Sequence, residues 1–505
     1  MIHALMVINI LEGQFLFAKA FGGTGNDEAW FVSSTQDGGF ILAGETESFG
    51  AGNNDLLVIR LASDGSLNWA RTYGGTTYDY ALSVTQSADG GFAVAGVTSS
   101  FGAGNYDCLV LKLASDGYLS WARTYGGTGI DTARSIIQTT DGGYAVAGWT
   151  WNFGAASADF LILKLNQDGS LAWAKIFGGT KSDYAFSITQ TADGGYAVAG
   201  WTYSFGAGQA DLLILKLSQD GSLSWARTFG GANNDYSSSI IQTTDGGYAV
   251  VGSTYGSGIG NWDILLLKIN SSGSVVWAKV LGGTNADEAY SITQTTDGGY
   301  AVVGHTVSFG SGSYDYMVLK LNPDGSIAWA RTLGGTGAER AYSIALAKDS
   351  GFAVAGYTNS FGTGNSDFLV LKLNSTGSYP GCVQECSPNL MTVNLSTSSP
   401  SVTTATCSPS TTLPTLTLTT PSITITDACP PGIEETVYIK PGIACSPIPG
   451  GALFLSLYDA SIKIYSADGR LAYSGDLRKG ENRIGLETGV YIWTAGNQRG
   501  KVAIR

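Results

Sequence analysis

The side chains able to do chemistry in this 505-residue chain come in columns, and the columns decide which chemistry is open to it. Histidine occurs only as His3 and His305, and no G-x-S-x-G or H-E-x-x-H stretch is present. Nucleophilic and zinc-dependent hydrolysis therefore have no visible apparatus. Carboxylates recur: Asp27, Asp79, Asp131, Asp183, Asp235 and Asp287, with Glu339 ending the series, each follow a Gly-Gly pair. Seven carboxylates in a ring could hold a hard cation such as Ca²⁺. No D-x-D-x-D-G loop accompanies them, however, and a loop Asp is ordinarily occupied by neighbouring N–H donors. The expectation is no metal, no cofactor and no catalytic residue. Lysine or arginine recurs at Arg60, Lys112, Lys164, Lys216, Lys268, Lys320 and Lys372, where it would neutralise the repeated acids or lie on an outer rim.

Binding is better served. The position after each Ala-Gly or Val-Gly reads Glu45, Val97, Trp149, Trp201, Ser253, His305 and Tyr357. Two residues further on the column reads Glu47, Ser99, Trp151, Tyr203, Tyr255, Val307 and Asn359. Variable, partly aromatic tips on an unvarying frame are what a recognition surface needs. Aromatic faces can stack on sugar rings or bury against a protein. Trp149, Trp151, Trp201, Tyr203, Tyr255, His305 and Tyr357 are the candidate ligand-binding residues; the competing reading packs the same rings against neighbouring structural units.

The frame that positions them is a repeat. Gly-Gly pairs begin at Gly22, Gly74, Gly126, Gly178, Gly230, Gly282 and Gly334, a spacing of 52 residues without insertion. The decamer DGGYAVAGWT stands at 141–150 and again at 193–202. Each unit holds four β-prone runs, with Asp-Gly-Gly and Asp-Gly turns closing two hairpins. Seven four-stranded units predict an all-β, seven-bladed propeller over 1–373, because radial packing lets each blade cover the next. The third run of each unit is almost wholly apolar, as in DLLILKL at 211–217, and suits a strand buried on both faces. The second is small on one face, with Ala145 and Ala147, and larger on the other, with Tyr144 and Val146. The last unit lacks its fourth strand, and QFLFAKAFGG at 14–23 supplies one, so residues 15–20 are expected to close the ring. Residues 2–11 are apolar and could open a signal peptide, but no Lys or Arg precedes them.

Charge and composition narrow the partners. Residues 1–379 carry 18 Lys or Arg against 31 Asp or Glu, with no basic cluster. Binding to nucleic acid or to an anionic membrane is disfavoured, and no nucleic-acid partner is expected, since phosphate contacts need cations. No run of 18 apolar residues predicts a transmembrane helix. Residues 374–432 are rich in Ser, Thr and Pro and read as an extended, glycosylatable stalk, although the alternation at TLTLTT and SITIT would also permit strands. Cys382, Cys386, Cys407, Cys429 and Cys445 crowd into and just beyond it. Without nearby His they suggest disulfides in an oxidising compartment, one Cys remaining free or pairing with Cys108. Residues 433–505 alternate as IKIYS, RIGL and VYIWT and predict a small β-sandwich.

Two resemblances follow from these motifs. The GYAVAG strand with its downstream Trp resembles a kelch-type blade and, more nearly, the propeller repeats of prokaryotic surface proteins. The C-terminal I-x-I-Y-x-x-x-G-R-L, G-x-N-x-I-x-L, G-V-Y-I and G-K-V-x-I-R motifs resemble the sorting domain of the type IX (Por) secretion system. Together they imply an extracellular or cell-surface protein, passed out through secretion machinery, that binds a surface glycan or protein. A surface-layer or filament component is the alternative, and a hydrolase or other enzyme on the propeller is a third reading.

Overall fold

In the computed structural model the described residues are 16–154, 158–379, 384–393 and 395–400, together with the backbone of short strands between 403 and 504. The chain divides into two compact units, Phe15–Cys429 and a second made of Met1–Gln14 with Pro430–Arg505. Residues 1–15, where a signal peptide is one expectation, lie outside the described residues.

The first unit is the propeller. Blade 1 runs through strand a (Asp27–Ser34), b (Phe40–Thr46), c (Asp55–Leu61) and d (Leu67–Gly74), all antiparallel neighbours. The same four-stranded order recurs every 52 residues in blades 2 to 6. Blade 7 takes a, b and c from Glu339–Leu346, Phe352–Thr358 and Asp367–Leu373, and its strand d from Phe17–Gly22 at the other end of the chain. Ala18 faces Leu371 and Ala20 faces Leu369 across that seam. The closing strand is thus the expected one, observed over Phe17–Gly22.

The core lies between blades. Ala145 and Ala147 of blade 3 join Tyr196, Val198, Leu213 and Leu215 of blade 4 in one buried cluster. Tyr144 and Val146, on the opposite face of the same strand, join Ala93, Ala95 and Val110 of blade 2. Small faces therefore receive bulky ones all round the ring. Where Gly200 stands, an added Cβ would lie 1.9 Å from the Tyr184 carbonyl oxygen and 2.6 Å from the ring of Phe160 in the preceding blade. Only glycine allows that ring in. Trp69 of strand d meets Phe92 of the next blade edge-on at 5.9 Å, and five further blade junctions repeat the contact.

Each Asp-Gly-Gly hairpin carries an ion pair with strand c of its own blade, as Lys216 with Asp193 at 2.8 Å. All seven blades have one, Arg60 with Asp37 replacing lysine in blade 1. The basic residues of strand c are thus buried partners of the turn acids and do not lie on a rim.

The Ser/Thr-rich segment differs from expectation. Seven short strands between Gln384 and Asp427 each pair antiparallel with the outer strand of a blade, making every blade five-stranded. A Ser/Thr run has no core of its own, but Thr suits a pleated edge, and strand d offers unpaired N–H and C=O groups along its whole outer side. In place of a stalk leaving the propeller, the segment surrounds it. Cys108, buried in strand c of blade 2, and Cys386 form no disulfide; Cys382, Cys407 and Cys429 lie outside the described residues.

The second unit contains a three-stranded sheet (Ile443–Ile448, Gly451–Ser456, Gly480–Gly485) and a four-stranded one (Ala460–Ser466, Leu471–Leu477, Gly489–Ala495, Gln498–Ile504), both antiparallel.

Candidate functional site

Strand a of each blade touches strand a of the next all the way round, so the seven form the inner ring. Every a–b pair contains a register shift in strand a, at residue 30 in blade 1 and at the equivalent place in each other blade. A β-bulge adds one residue to a strand and re-aims its side chain. The bulged column is Trp30, Leu82, Arg134, Phe186, Ser238, Tyr290 and Tyr342. Three of these side chains meet: Trp30 stacks on Tyr342 at 4.4 Å and Tyr290 meets it edge-on at 5.1 Å. Arg134, from blade 3, lies 4.9 Å from the Phe186 ring. Its guanidinium pKa is lowered to about 10 by burial, against the influence of Tyr342 and Tyr290 across the ring.

The column after Ala-Gly or Val-Gly lies on strand b directly opposite strand a, where Glu45 faces Glu28, Trp149 faces Thr132, Trp201 faces Tyr184, His305 faces Glu288 and Tyr357 faces Arg340. All of these positions fall at the end of the inner ring that carries the d-to-a and b-to-c loops. That end is the candidate site, and it has two unlike arcs.

Blades 3 to 5 form an aromatic arc. Trp149 contacts Tyr184 at 5.4 Å and Phe186 at 5.6 Å. Trp201 contacts Tyr184, Tyr203 and Tyr236 at 4.3, 5.3 and 4.9 Å. Tyr236 continues to Trp262 at 5.3 Å, and Trp262 to Tyr255. Trp151 and Tyr255 remain 49% and 42% exposed. The structure thus brings Trp149, Trp201, Tyr203 and Tyr255 into one chain of rings, with Trp151 projecting beside it.

Blades 6, 7 and 1 form a polar arc. Glu45 accepts hydrogen bonds from Trp30 Nε1 at 3.0 Å and Asn54 Nδ2 at 2.8 Å. Burial and then the Glu45 charge push Glu28 up to about 7, Arg340 opposing them. Burial likewise raises Glu45, against its hydrogen bonds from Trp30 and Asn54. Tyr290 donates its hydroxyl to Glu288 at 2.9 Å. His305 is 1% exposed, and neither ring nitrogen has a hydrogen-bond partner. Burial, helped by the Arg340 charge, lowers its pKa to about 3. The 3.8 Å approach of its Nε2 to Glu288 is therefore a contact with a neutral ring. His305 lies between the rings of Tyr290 and Tyr314, at 5.4 and 4.9 Å. Tyr357 lies 6.0 Å from Tyr342.

The carboxylates after the Gly-Gly pairs hold loops. Asp27 accepts from the Gly23 N–H at 2.8 Å, the Ser48 hydroxyl at 2.6 Å and the Thr46 hydroxyl. Glu339 substitutes in blade 7, accepting from Gly335 N–H at 2.7 Å and the Thr358 hydroxyl at 2.8 Å.

Sequence reasoning missed Glu28, Trp30, Arg134, Phe186, Tyr290, Arg340 and Tyr342. Their columns vary from blade to blade as much as the ones chosen, and that variation was the available signal.

A family model described as a β-propeller domain of unknown function, DUF5122, matches residues 35–68, 139–171 and 191–223. The regulatory protein FlaEY of Caulobacter vibrioides is 25% identical over 254 residues, which is 47% of this chain and 24% of that protein. The chain thus spans about a quarter of the length of that relative. Among solved structures, the Pan2 WD40 domain of Neurospora crassa is 11% identical with a TM-score of 0.42, covering 70% of this chain and 96% of its own. PorZ, a surface component of the type IX secretion system of Porphyromonas gingivalis, is 13% identical with a TM-score of 0.39, covering 96% of this chain and 60% of its own. At these scores the two structures bear on no functional assignment. The chain is thus similar to the DUF5122 β-propeller model over three stretches, and its architecture is a seven-bladed propeller.

Proposed function

We propose that this protein is a cell-surface binding protein whose inner-ring mouth recognises a glycan or an exposed protein segment. One observation carries the reading: seven nearly identical blades present unlike side chains at one place, and half of that place is a connected run of aromatic rings. Ring faces with partly wet edges suit the apolar face of a sugar, while Glu45, Glu47 and the arginines supply the polar contacts that fix orientation. The C-terminal strands are read as a β-sandwich of the sorting kind, which would take the propeller through secretion machinery to the outside. Binding to a glycan array by the purified chain should be strong and fall at least about tenfold in the Trp151→Ala, Tyr255→Ala double variant. Both side chains are exposed, so folding is spared; unchanged binding would refute the assignment to this arc. Cell fractionation with mass spectrometry of the termini tests export, and an intact chain confined to the cytoplasm would refute it.

A second reading rests on Glu28. A carboxyl group with a pKa of about 7 beside a second carboxylate is suited to proton transfer. Hydrolysis of a bound glycoside that disappears in Glu28→Gln while binding persists would favour it.

A further inference from the structure

We infer that residues 384–427 form a belt that locks the propeller ring, one seven-residue unit to each blade, and that the outer blade edges are peptide-acceptor edges already filled by this chain. The registers carry the argument. Gly22, Gly74, Gly126, Gly178, Gly230 and Gly282, the first glycines of successive Gly-Gly pairs, face Thr424, Thr417, Ser410, Thr403, Ser396 and Asn389. Each step of 52 residues along the blades is answered by a step of seven along the belt, in the opposite direction. Arg331 facing Glu385 in blade 6 keeps the same relation.

The sequence carries the same unit independently. Every seventh residue from 388 is apolar: Pro388, Leu395, Val402, Pro409, Leu416, Ile423 and Pro430. The residue that follows each of the first six is Asn, Ser or Thr. Pro388, Pro400, Pro409, Pro414 and Pro421 all fall between the belt strands and none within one. Proline cannot donate to a ladder, so its restriction to the links marks which residues must pair.

Where side chains are described, the belt is tied to the blades. Thr228 and Ser398 hydroxyls lie 2.6 Å apart, Lys279 donates to Thr392 at 2.8 Å, and Arg331 pairs with Glu385 at 3.1 Å. Val393 and Leu395 pack against the core shared by blades 4 and 5, and Cys386 and Leu390 against that shared by blades 5 and 6. The belt therefore bridges junctions as well as capping edges. It ends on the seam: the closing strand Phe17–Gly22 is held by Asp367–Leu373 on one side and Thr424–Asp427 on the other. The strand most exposed to loss, because it comes from the far end of the chain, is the one clasped twice.

Two experiments on the full-length chain test this. In Thr228→Cys, Ser398→Cys protein, mild oxidation should join the two introduced cysteines, identified by peptide mass spectrometry. In Thr228→Cys, Ala405→Cys protein, which places the second thiol one unit along, it should not. Equal linkage to 405, or none to 398, overturns the register. Excising residues 403–409 removes one unit while seven blades remain, and should speed unfolding in denaturant by at least about tenfold, since belt contacts form after the ring and oppose its opening. If that variant does not fold, Thr404→Pro with Ala405→Pro decides, because one of two adjacent N–H groups must point at strand d. An unfolding rate within twofold of the parent in the proline variant overturns the lock.

Discussion

The hairpin face and the inner-ring mouth of this propeller are built from the same strands and follow opposite rules. At the hairpin face seven turns each repeat one ion pair, Lys112 with Asp89 in blade 2 and Lys320 with Asp297 in blade 6, both at 2.9 Å. At the mouth, seven equivalent positions hold Glu45, Val97, Trp149, Trp201, Ser253, His305 and Tyr357. A position that answers to its own blade and the next is solved once and copied. A position that faces the axis shares its surroundings with six unlike neighbours and is free to differ.

The sharpest way to break the comparison is at the glycine just before the variable column. At Gly44, Gly96, Gly148, Gly200, Gly252, Gly304 and Gly356 an added Cβ would fall within 1.7–1.9 Å of a strand a carbonyl oxygen. Glycine-to-alanine at any one of the seven should cost about 3–5 kcal/mol in chemical denaturation, and nearly the same in every blade. A tolerated copy would show that the frame is less uniform than its sequence.

Acid and base should divide the two regions next. Hydrogen bonds from Lys216, Thr191 and Gly195, with the Lys216 charge, outweigh burial and hold Asp193 at about 2, below its ordinary 3.8. Its contribution is complete above pH 4 and is lost as pH falls through 2. Glu28 is the reverse, raised from 4.5 to about 7. The folded chain keeps a proton there that the unfolded chain releases, so stability falls as pH rises from 4.5 to 7. Glu28→Gln should raise stability at pH 8 by on the order of 1–2 kcal/mol and leave it unchanged at pH 4. Lys216→Met should instead flatten the acid limb alone.

Smaller effects sharpen the picture. Asp349-Ser350-Gly351 departs from the Asp-Gly-Gly of the other six hairpins, and Ser350 holds φ 62° where its equivalents are glycine. Ser350→Gly should stabilise by about 0.5–1 kcal/mol in thermal melts. Trp151→Ala with Tyr255→Ala should change stability by no more than about 0.5 kcal/mol, in keeping with its use as a binding probe.

What was legible in the sequence follows from what repeats alone. A period of 52 with Asp-Gly turns announces hairpins and blades, and the unmatched WAR of the last unit announces the closing strand. Trp149 and Trp201 were visible because they broke an otherwise constant decamer. Trp30, Arg134 and Tyr342 were not, because a bulge is a property of two paired strands, and periodicity in one strand places residue 30 on the same face as residue 32. The belt hid for a similar reason: three threonines are not a strand until an edge lies beside them. Its period of seven was present at Asn389, Ser396, Thr403, Ser410, Thr417 and Thr424, but without the blade registers it had nothing to be measured against.

The belt also bears on how such a ring can change over generations. Near-identical tandem units are prone to gain or lose a copy by recombination, and a chain of 52-residue units should drift readily to six or eight. Here the number of blades is written twice, once in long units and once in units of seven residues, in separate stretches of one gene. A copy gained in the first without the second leaves a bare edge, which is a template for aggregation. Ring size is thereby guarded by a second tally that must change in step.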